Sequence, residues 1–313
     1  MSYIEEKEKA LKSKIIPQTK KDDFEAFWKG EVDALRKIPL EITRTKLDLP
    51  YKTFTSYEIT FNTHDDTVVS AYFSVPNGIE GPLPCVAYFT GGGGRKTIMP
   101  HIVSTGVCCF FMDVRSQSGK TFDLAKYKMG DDYRGALMTH DVLYKESFYM
   151  KNIYLDAVRA IDTIASLPEV NPEKIVAYGA SQGGALSIVA TALSGKVLKA
   201  YPVVPSYCCL PQRVEAGSGV FEATKKYLQE NPFDTDKVFD TLSYFDINNM
   251  VSLLKTPVDF ALGLADPICI PEFVYSPYHH TVSDKKQIFF YPFTPHCIPK
   301  DFELYALTEF SKL

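Results

Sequence analysis

The most constraining stretch of this chain runs from residue 174 to residue 193. A buried apolar run, Lys174-Ile-Val-Ala-Tyr-Gly179, passes through Gly179-Ala180-Ser181-Gln182-Gly183 directly into a small-residue helix that continues to Leu193. Ser181 is thereby set on a tight strand-to-helix turn, where flanking residues larger than glycine would collide with neighbouring backbone. The rest of the chain repeats this strand-then-helix rhythm. Residues 84–90, 107–113, 198–204, 257–263 and 287–291 read as strands. Residues 147–167 and 182–193 read as helices, and the strands at 257–263 and 287–291 each lead into a further helix. Before them, 22–37 has the spacing of an amphipathic helix, and 56–61 with 67–75 reads as an antiparallel hairpin around His64-Asp65-Asp66. Apolar strands alternating with helices predict an α/β chain with a mostly parallel sheet covered on both faces. Residues 206–245 break the rhythm and are expected to form a helical excursion over the strand ends. The expectation is one domain over 1–313, with 1–50 as an N-terminal helical extension.

A serine hydroxyl is a weak nucleophile until a base takes its proton. In a sheet of this kind the partners follow in the order serine, acid, histidine, each just beyond a later strand. Asp266 follows the strand at 257–263, and His296 follows the strand at 287–291. Both fall at strand carboxyl ends, the edge that carries Ser181. Ser181, Asp266 and His296 therefore form a candidate nucleophile, orienting acid and base. The backbone N–H of Gln182, at a helix start, and an N–H from the glycine loop at 90–95 are candidate oxyanion donors.

Other chemistries fit less well. Ser118-Gly119-Lys120-Thr121 has the tail of a nucleotide-binding loop, but position 114 is Val where that motif needs Gly. His279 and His280 are adjacent and lack an accompanying Cys, Asp or Glu set, so they read as surface or support residues. A net charge of -4 with no block of like charges gives no footprint for nucleic acid or an anionic membrane. The apolar run at 107–112 is far too short to span a bilayer. The first residues alternate acidic and basic side chains without the apolar stretch of a signal peptide, so the expectation is a soluble, cytoplasmic protein. The seven cysteines include two adjacent pairs and no Cys-x-x-Cys, and read as small buried hydrophobes in a reducing compartment.

Several segments together carry a family resemblance. They are Phe24-x-x-Phe-Trp28, Pro84-Cys-Val, Met112-Asp-Val-Arg-Ser-Gln117, Tyr154-Leu-Asp-Ala-Val-Arg-Ala160, Gly179-Ala-Ser-Gln-Gly-Gly184, Thr241-Leu-Ser-Tyr-Phe-Asp-Ile247 and Gly263-x-x-Asp266. Over nearly its whole length the chain resembles the acetyl xylan esterase and cephalosporin-C deacetylase family, carbohydrate esterase family seven. The resemblance implies an α/β-hydrolase fold and hydrolysis of acetyl esters on small sugars and related molecules. It also implies no metal or organic cofactor and a cytoplasmic homo-oligomer, commonly a hexamer. The family's triad falls on Ser181, Asp266 and His296. Its supporting Arg and Gln fall on Arg115 and Gln117, and its oxyanion donors on the Gln182 and Gly92 amides.

Three positions depart from the family pattern. Arg-Gly-Gln becomes Arg115-Ser116-Gln117, which predicts a strained Ser116 if the glycine conformation is kept. His-Glu becomes His296-Cys297. The family's oxyanion Tyr becomes Gly92, which keeps the N–H and removes an aromatic wall, so a group larger than acetyl is expected to fit. Two other readings stand beside an esterase: a peptidase or lactonase of the same fold, and a non-catalytic binding protein that kept the triad residues.

Overall fold

The computed structural model describes residues 2–129 and 136–313. Among these, nine strands form one sheet: β1 (Ile42–Lys46), β2 (Phe54–Asn62), β3 (Val68–Pro76), β4 (Leu83–Phe89), β5 (Cys108–Met112), β6 (Val170–Ala180), β7 (Lys199–Val203), β8 (Val258–Gly263) and β9 (Lys286–Tyr291). Their order across the sheet is β1-β2-β3-β5-β4-β6-β7-β8-β9. The first three strands pair antiparallel with one another, and β3 pairs antiparallel with β5. From β5 to β9 every pairing is parallel.

Eleven α-helices accompany the sheet among the described residues. Before β4 come α1 (Tyr3–Lys12) and α2 (Phe24–Lys37). Between the sheet strands come α3 (Pro100–Val103), α4 (Tyr149–Ser166) and α5 (Gln182–Ser194). The segment after β7 holds α6 (Leu210–Ala216), α7 (Glu222–Glu230), α8 (Thr235–Ser243) and α9 (Ile247–Met250). After β8 and β9 come α10 (Pro271–His280) and α11 (Lys300–Phe310).

Side chains alternate across the central strands and so feed two apolar cores. Cys85, Ala87 and Phe89 of β4, with Ile175 and Ala177 of β6, pack with α2, α4 and α5. Val86 of β4, with Val176 and Tyr178 of β6, packs with Phe302, Ala306 and Phe310 of α11. The adjacent Cys108 and Cys109 part in the same way, one to each core. All seven cysteines are free thiols, and six are buried; Cys297 alone is exposed.

The N-terminal extension, expected to be helical over 1–50, holds a strand after its two helices. Residues 42–46 form the edge strand β1, paired to β2. Only Ile42 is even partly buried, so the strand lacks the apolar alternation that marks a half-buried strand. Its β-branched Ile42, Thr43 and Thr45 suit an extended backbone, and the Thr43 and Thr60 hydroxyls lie 2.6 Å apart across the pair. β6 also begins at Val170, four residues before the apolar run, because polar residues 171–174 continue the extended backbone.

The N-terminal helix α2 is part of the core rather than an appendage. Trp28 is fully buried, and its indole N–H donates to Tyr244 O at 2.9 Å. Its ring packs edge-on against Phe27 and Phe245, and obliquely on Tyr154 of α4. Trp28→Ala is expected to destabilise the protein by about 3–5 kcal/mol, read as a lower urea midpoint with an unchanged slope.

Candidate active site

The site lies where β4 and β6 are neighbours and the chain leaves them in opposite directions, β4 toward β5 and β6 toward β7. Such a switch in strand order opens a crevice at the carboxyl ends. Ser181 stands in it at φ 58° and ψ -121°, a left-handed backbone that L residues avoid. The turn is held from several sides. Ser181 N–H donates to Val203 O at 2.9 Å, and its carbonyl accepts from Ser206 N–H at 2.9 Å and Ala185 N–H at 3.1 Å. A Cβ on Gly183 would overlap the Phe89 carbonyl, and one on Gly184 would stand 2.8 Å from Val203 O. The glycines flanking the serine are therefore what let β4, β6 and β7 converge.

Asp266 and His296 come from loops joined at the ends of β8 and β9. Leu264 N–H donates to Tyr291 O at 3.0 Å and Ala265 N–H to Thr294 O at 3.1 Å. A Cβ on Gly263 would lie 2.7 Å from Thr294 O, so glycine permits this contact. The buried Asp266 carboxylate accepts at Oδ1 from the amides of Ile268 and Cys269, both at 2.8 Å. Its Oδ2 lies 2.7 Å from His296 Nδ1. That bond fixes the ring and leaves Nε2 for other work. The carboxylate, with the nearby Cys269 side chain, pushes the His296 pKa above its ordinary value of 6.5 despite partial burial.

Ser181 and His296 line one cavity of about 710 Å³, together with Gly92, Gly93, Ser116, Gln117 and Gln182. The structure thus brings the predicted nucleophile, base and oxyanion residues to one cavity, with Asp266 hydrogen-bonded to the base. Gln182 is the first residue of α5, where backbone N–H groups have no acceptor inside the helix. Its side chain is clamped by Gln117 Nε2 at 2.8 Å and by Tyr207 Oη at 2.6 Å. Gln117 Oε1 in turn accepts from Gly93 N–H at 2.8 Å. One side chain therefore ties the glycine loop to the start of α5, the two backbone segments expected to supply oxyanion donors.

Arg115 works from beneath. It is fully buried and meets Asp156 at 2.6 and 2.7 Å, Asp65 at 2.7 Å and Asp123 at 3.0 Å. Its carbonyl accepts from Tyr149 Oη at 2.7 Å. These bonds anchor the loop that carries Gln117. The neighbouring Ser116 has φ 55°, the glycine-like conformation expected of it.

Asp266, Cys269 and His296 each place a donor atom within 4.8 Å of the others, a spacing a metal ion could use. The direct Asp266–His296 hydrogen bond and the two amides on Asp266 occupy those carboxylate oxygens instead. None of the other five histidines lines the cavity. His280 Nε2 lies 2.9 Å from Ile16 O, and His279 stacks edge-on against it.

Three residues near the site escaped sequence reasoning: Tyr207, Arg213 and Cys269. Tyr207 and Arg213 lie in the segment that broke the strand–helix rhythm, and no local pattern marks their contacts. Cys269 follows Asp266 by three residues in a loop, which was the available signal.

Comparison with known proteins decides the family. The family model described as acetyl xylan esterase (AXE1) matches residues 6–312. The chain belongs to the acetyl xylan esterase family. Acetyl esterase Axe7A of Xylanibacter ruminicola is 28% identical over 282 residues, covering 87% of this chain and 63% of its own length. The chain therefore spans under two thirds of that relative. The acetyl xylan esterase from Paenibacillus sp. R4 superposes with a TM-score of 0.91 at 29% identity, covering 100% of this chain and 99% of its own. Acetyl xylan esterase 1 from Thermoanaerobacterium sp. JW/SL YS485 superposes with a TM-score of 0.89 at 22% identity, covering 100% and 98%. This acetyl xylan esterase family member has the α/β-hydrolase fold, with its mostly parallel sheet flanked by helices.

The contrast between two glycines gives a test of the site's construction. A Cβ on Gly92 meets nothing within 4 Å, whereas one on Gly183 overlaps backbone. Gly92→Ala is expected to change stability by less than about 0.5 kcal/mol. Gly183→Ala is expected to lose about 1–3 kcal/mol or more, with both read by chemical denaturation.

Proposed function

We propose that this protein is a serine carboxylesterase that removes small acyl groups, acetyl foremost, from acetylated sugars or xylo-oligosaccharides and from cephalosporin-like esters. The observation that carries the reading is the 2.7 Å bond from His296 Nδ1 to the buried Asp266, on the wall of the cavity that Ser181 lines. Family membership supports ester chemistry over the other bonds this fold can cleave.

In this mechanism His296 takes the Ser181 proton, and the serine oxygen attacks the ester carbonyl. The oxyanion rests on the Gln182 and Gly92 amides, a contribution typically worth about 3 kcal/mol per donor. His296 then gives its proton to the departing alcohol. It next activates water, which hydrolyses the acyl-enzyme. Asp266 holds the imidazole tautomer and stabilises its charged form. Arg115 and Gln117 are positioning residues for the two oxyanion segments. No cofactor is required by these steps.

We further propose that residues 1–313 act as one α/β-hydrolase domain in a cytoplasmic homo-oligomer, a hexamer by family resemblance. Its partner is a small-molecule ester, with no nucleic acid or membrane partner. Among the described residues no helix is long and apolar enough to cross a membrane.

The test combines rate and pH dependence on p-nitrophenyl acetate. Ser181→Ala is expected to lose roughly six orders of magnitude in kcat. Hydrolysis at the wild-type rate would end the assignment. The reaction needs neutral imidazole, and the Asp266 carboxylate favours the charged form. The wild-type kcat/KM profile should therefore rise with pH through a midpoint above 6.5. In Asp266→Asn the proton leaves more easily, so the midpoint should move down in pH while kcat falls by about 10³–10⁴. An unmoved midpoint would remove His296 as the titrating base.

A further inference from the structure

Among the described residues two guanidinium groups are fully buried, Arg115 and Arg213, and their surroundings differ in kind. Arg115 is met by the carboxylates of Asp65, Asp123 and Asp156. Arg213 of α6 is 1% exposed and lines the cavity that holds Ser181 and His296. One Nη2 hydrogen donates to Ile268 O at 2.8 Å, and Nη1 lies 3.9 Å from the Cys269 sulfur. Its Nε has no partner, and no carboxylate among the described residues pairs with it. The Asp246 carboxylate feels its charge, but that group is held by the amides of Cys209, Leu210 and Asn248 at 2.7–2.8 Å.

A desolvated cation without a counter-ion is unfavourable, and natural proteins rarely keep one unless an anion completes it. A guanidinium offers five N–H donors in a planar fork that matches a carboxylate. Here one donor is spent on Ile268 and another on a long sulfur contact. Among the described residues no Asp or Glu lines the cavity to compete for the remainder. The cavity is also larger than an acetyl group needs, because glycines and short side chains such as Gly92, Gly93, Ser206 and Gly219 form much of its wall.

We propose that Arg213 is the anion-binding residue of this pocket, and that the preferred esters carry a carboxylate near the scissile bond. The inference rests on the esterase reading and narrows it to acidic substrates. Arg213 contacts the loop of Ile268 and Cys269, which also holds Asp266, and so sits on the base's side of the site. The carboxylate belongs either to the alcohol or to the acyl group, and two substrate pairs separate these sources.

The experiment compares kcat/KM on the full chain, each value divided by the ester's alkaline hydrolysis rate. One pair is 4-acetoxybenzoate against phenyl acetate, with the charge on the alcohol. The other is monophenyl succinate against phenyl butyrate, with the charge on the acyl group. At least one charged ester should be favoured by about tenfold or more. Arg213→Gln should bring that ratio near one, mainly through KM, and Arg213→Lys should keep part of it. A merely structural Arg213 would slow both members of a pair alike and leave the ratio unmoved. Wild-type ratios near one for both pairs would overturn the proposal while leaving the esterase intact. If Arg213→Gln does not fold, the wild-type and Arg213→Lys ratios decide. If no ester is turned over, the esterase reading fails. Calorimetry then decides Arg213 alone: tighter wild-type binding of 4-hydroxybenzoate than of phenol supports it, and equal binding rejects it.

Discussion

The Phe89 carbonyl, at the end of β4, occupies the space where a Cβ on residue 183 would stand. This backbone-to-backbone contact is the constraint on which the site depends. It draws the glycine loop after β4 against the start of α5 and forces Ser181 into a left-handed turn. The strain is held by amide bonds to β7 and to Ser206, so it is distributed through the centre of the sheet. A second close contact, Gly263 against Thr294, joins the loops of Asp266 and His296. Glycine is required at both places for the same steric reason, and Ser181 and His296 reach one cavity because the backbone can close up there.

Much of this was legible in the sequence. Buried parallel strands announce themselves as apolar runs, so β4, β5, β7, β8 and β9 lie within one residue of their expected limits at every end. The placement of Ser181, Asp266 and His296 just past the ends of β6, β8 and β9 was legible for the same reason. The edge strand β1 was not, because its exposed residues carry no apolar period. Nor were Tyr207, Arg213 and Cys269, whose positions are set by contacts between distant segments. Gln117 and Arg115 were singled out by resemblance, and hydrogen bonds hold both side chains in place. Gln117 joins Gly93 to Gln182, and Arg115 anchors Gln117's loop on Asp65, Asp123 and Asp156.

The departures from the family pattern divide between frame and pocket. Ser116 adopts the glycine conformation it was expected to strain into, so the frame is kept. At Gly92 the cavity wall is open, and from α6 a buried guanidinium faces the same space. The Asp266–His296 bond is kept, and small residues and Arg213 stand around the cavity.

The central claim is that the Ser181 hydroxyl is activated by His296 and Asp266 for attack on an acyl carbon. Incubation with a fluorophosphonate, followed by peptide mass analysis, examines this directly, since the reagent modifies an activated serine. A single adduct on Ser181, absent in His296→Ala and accompanied by stoichiometric loss of ester hydrolysis, is the predicted result. Undiminished hydrolysis with Ser181 unmodified, or an adduct on another serine, would contradict it.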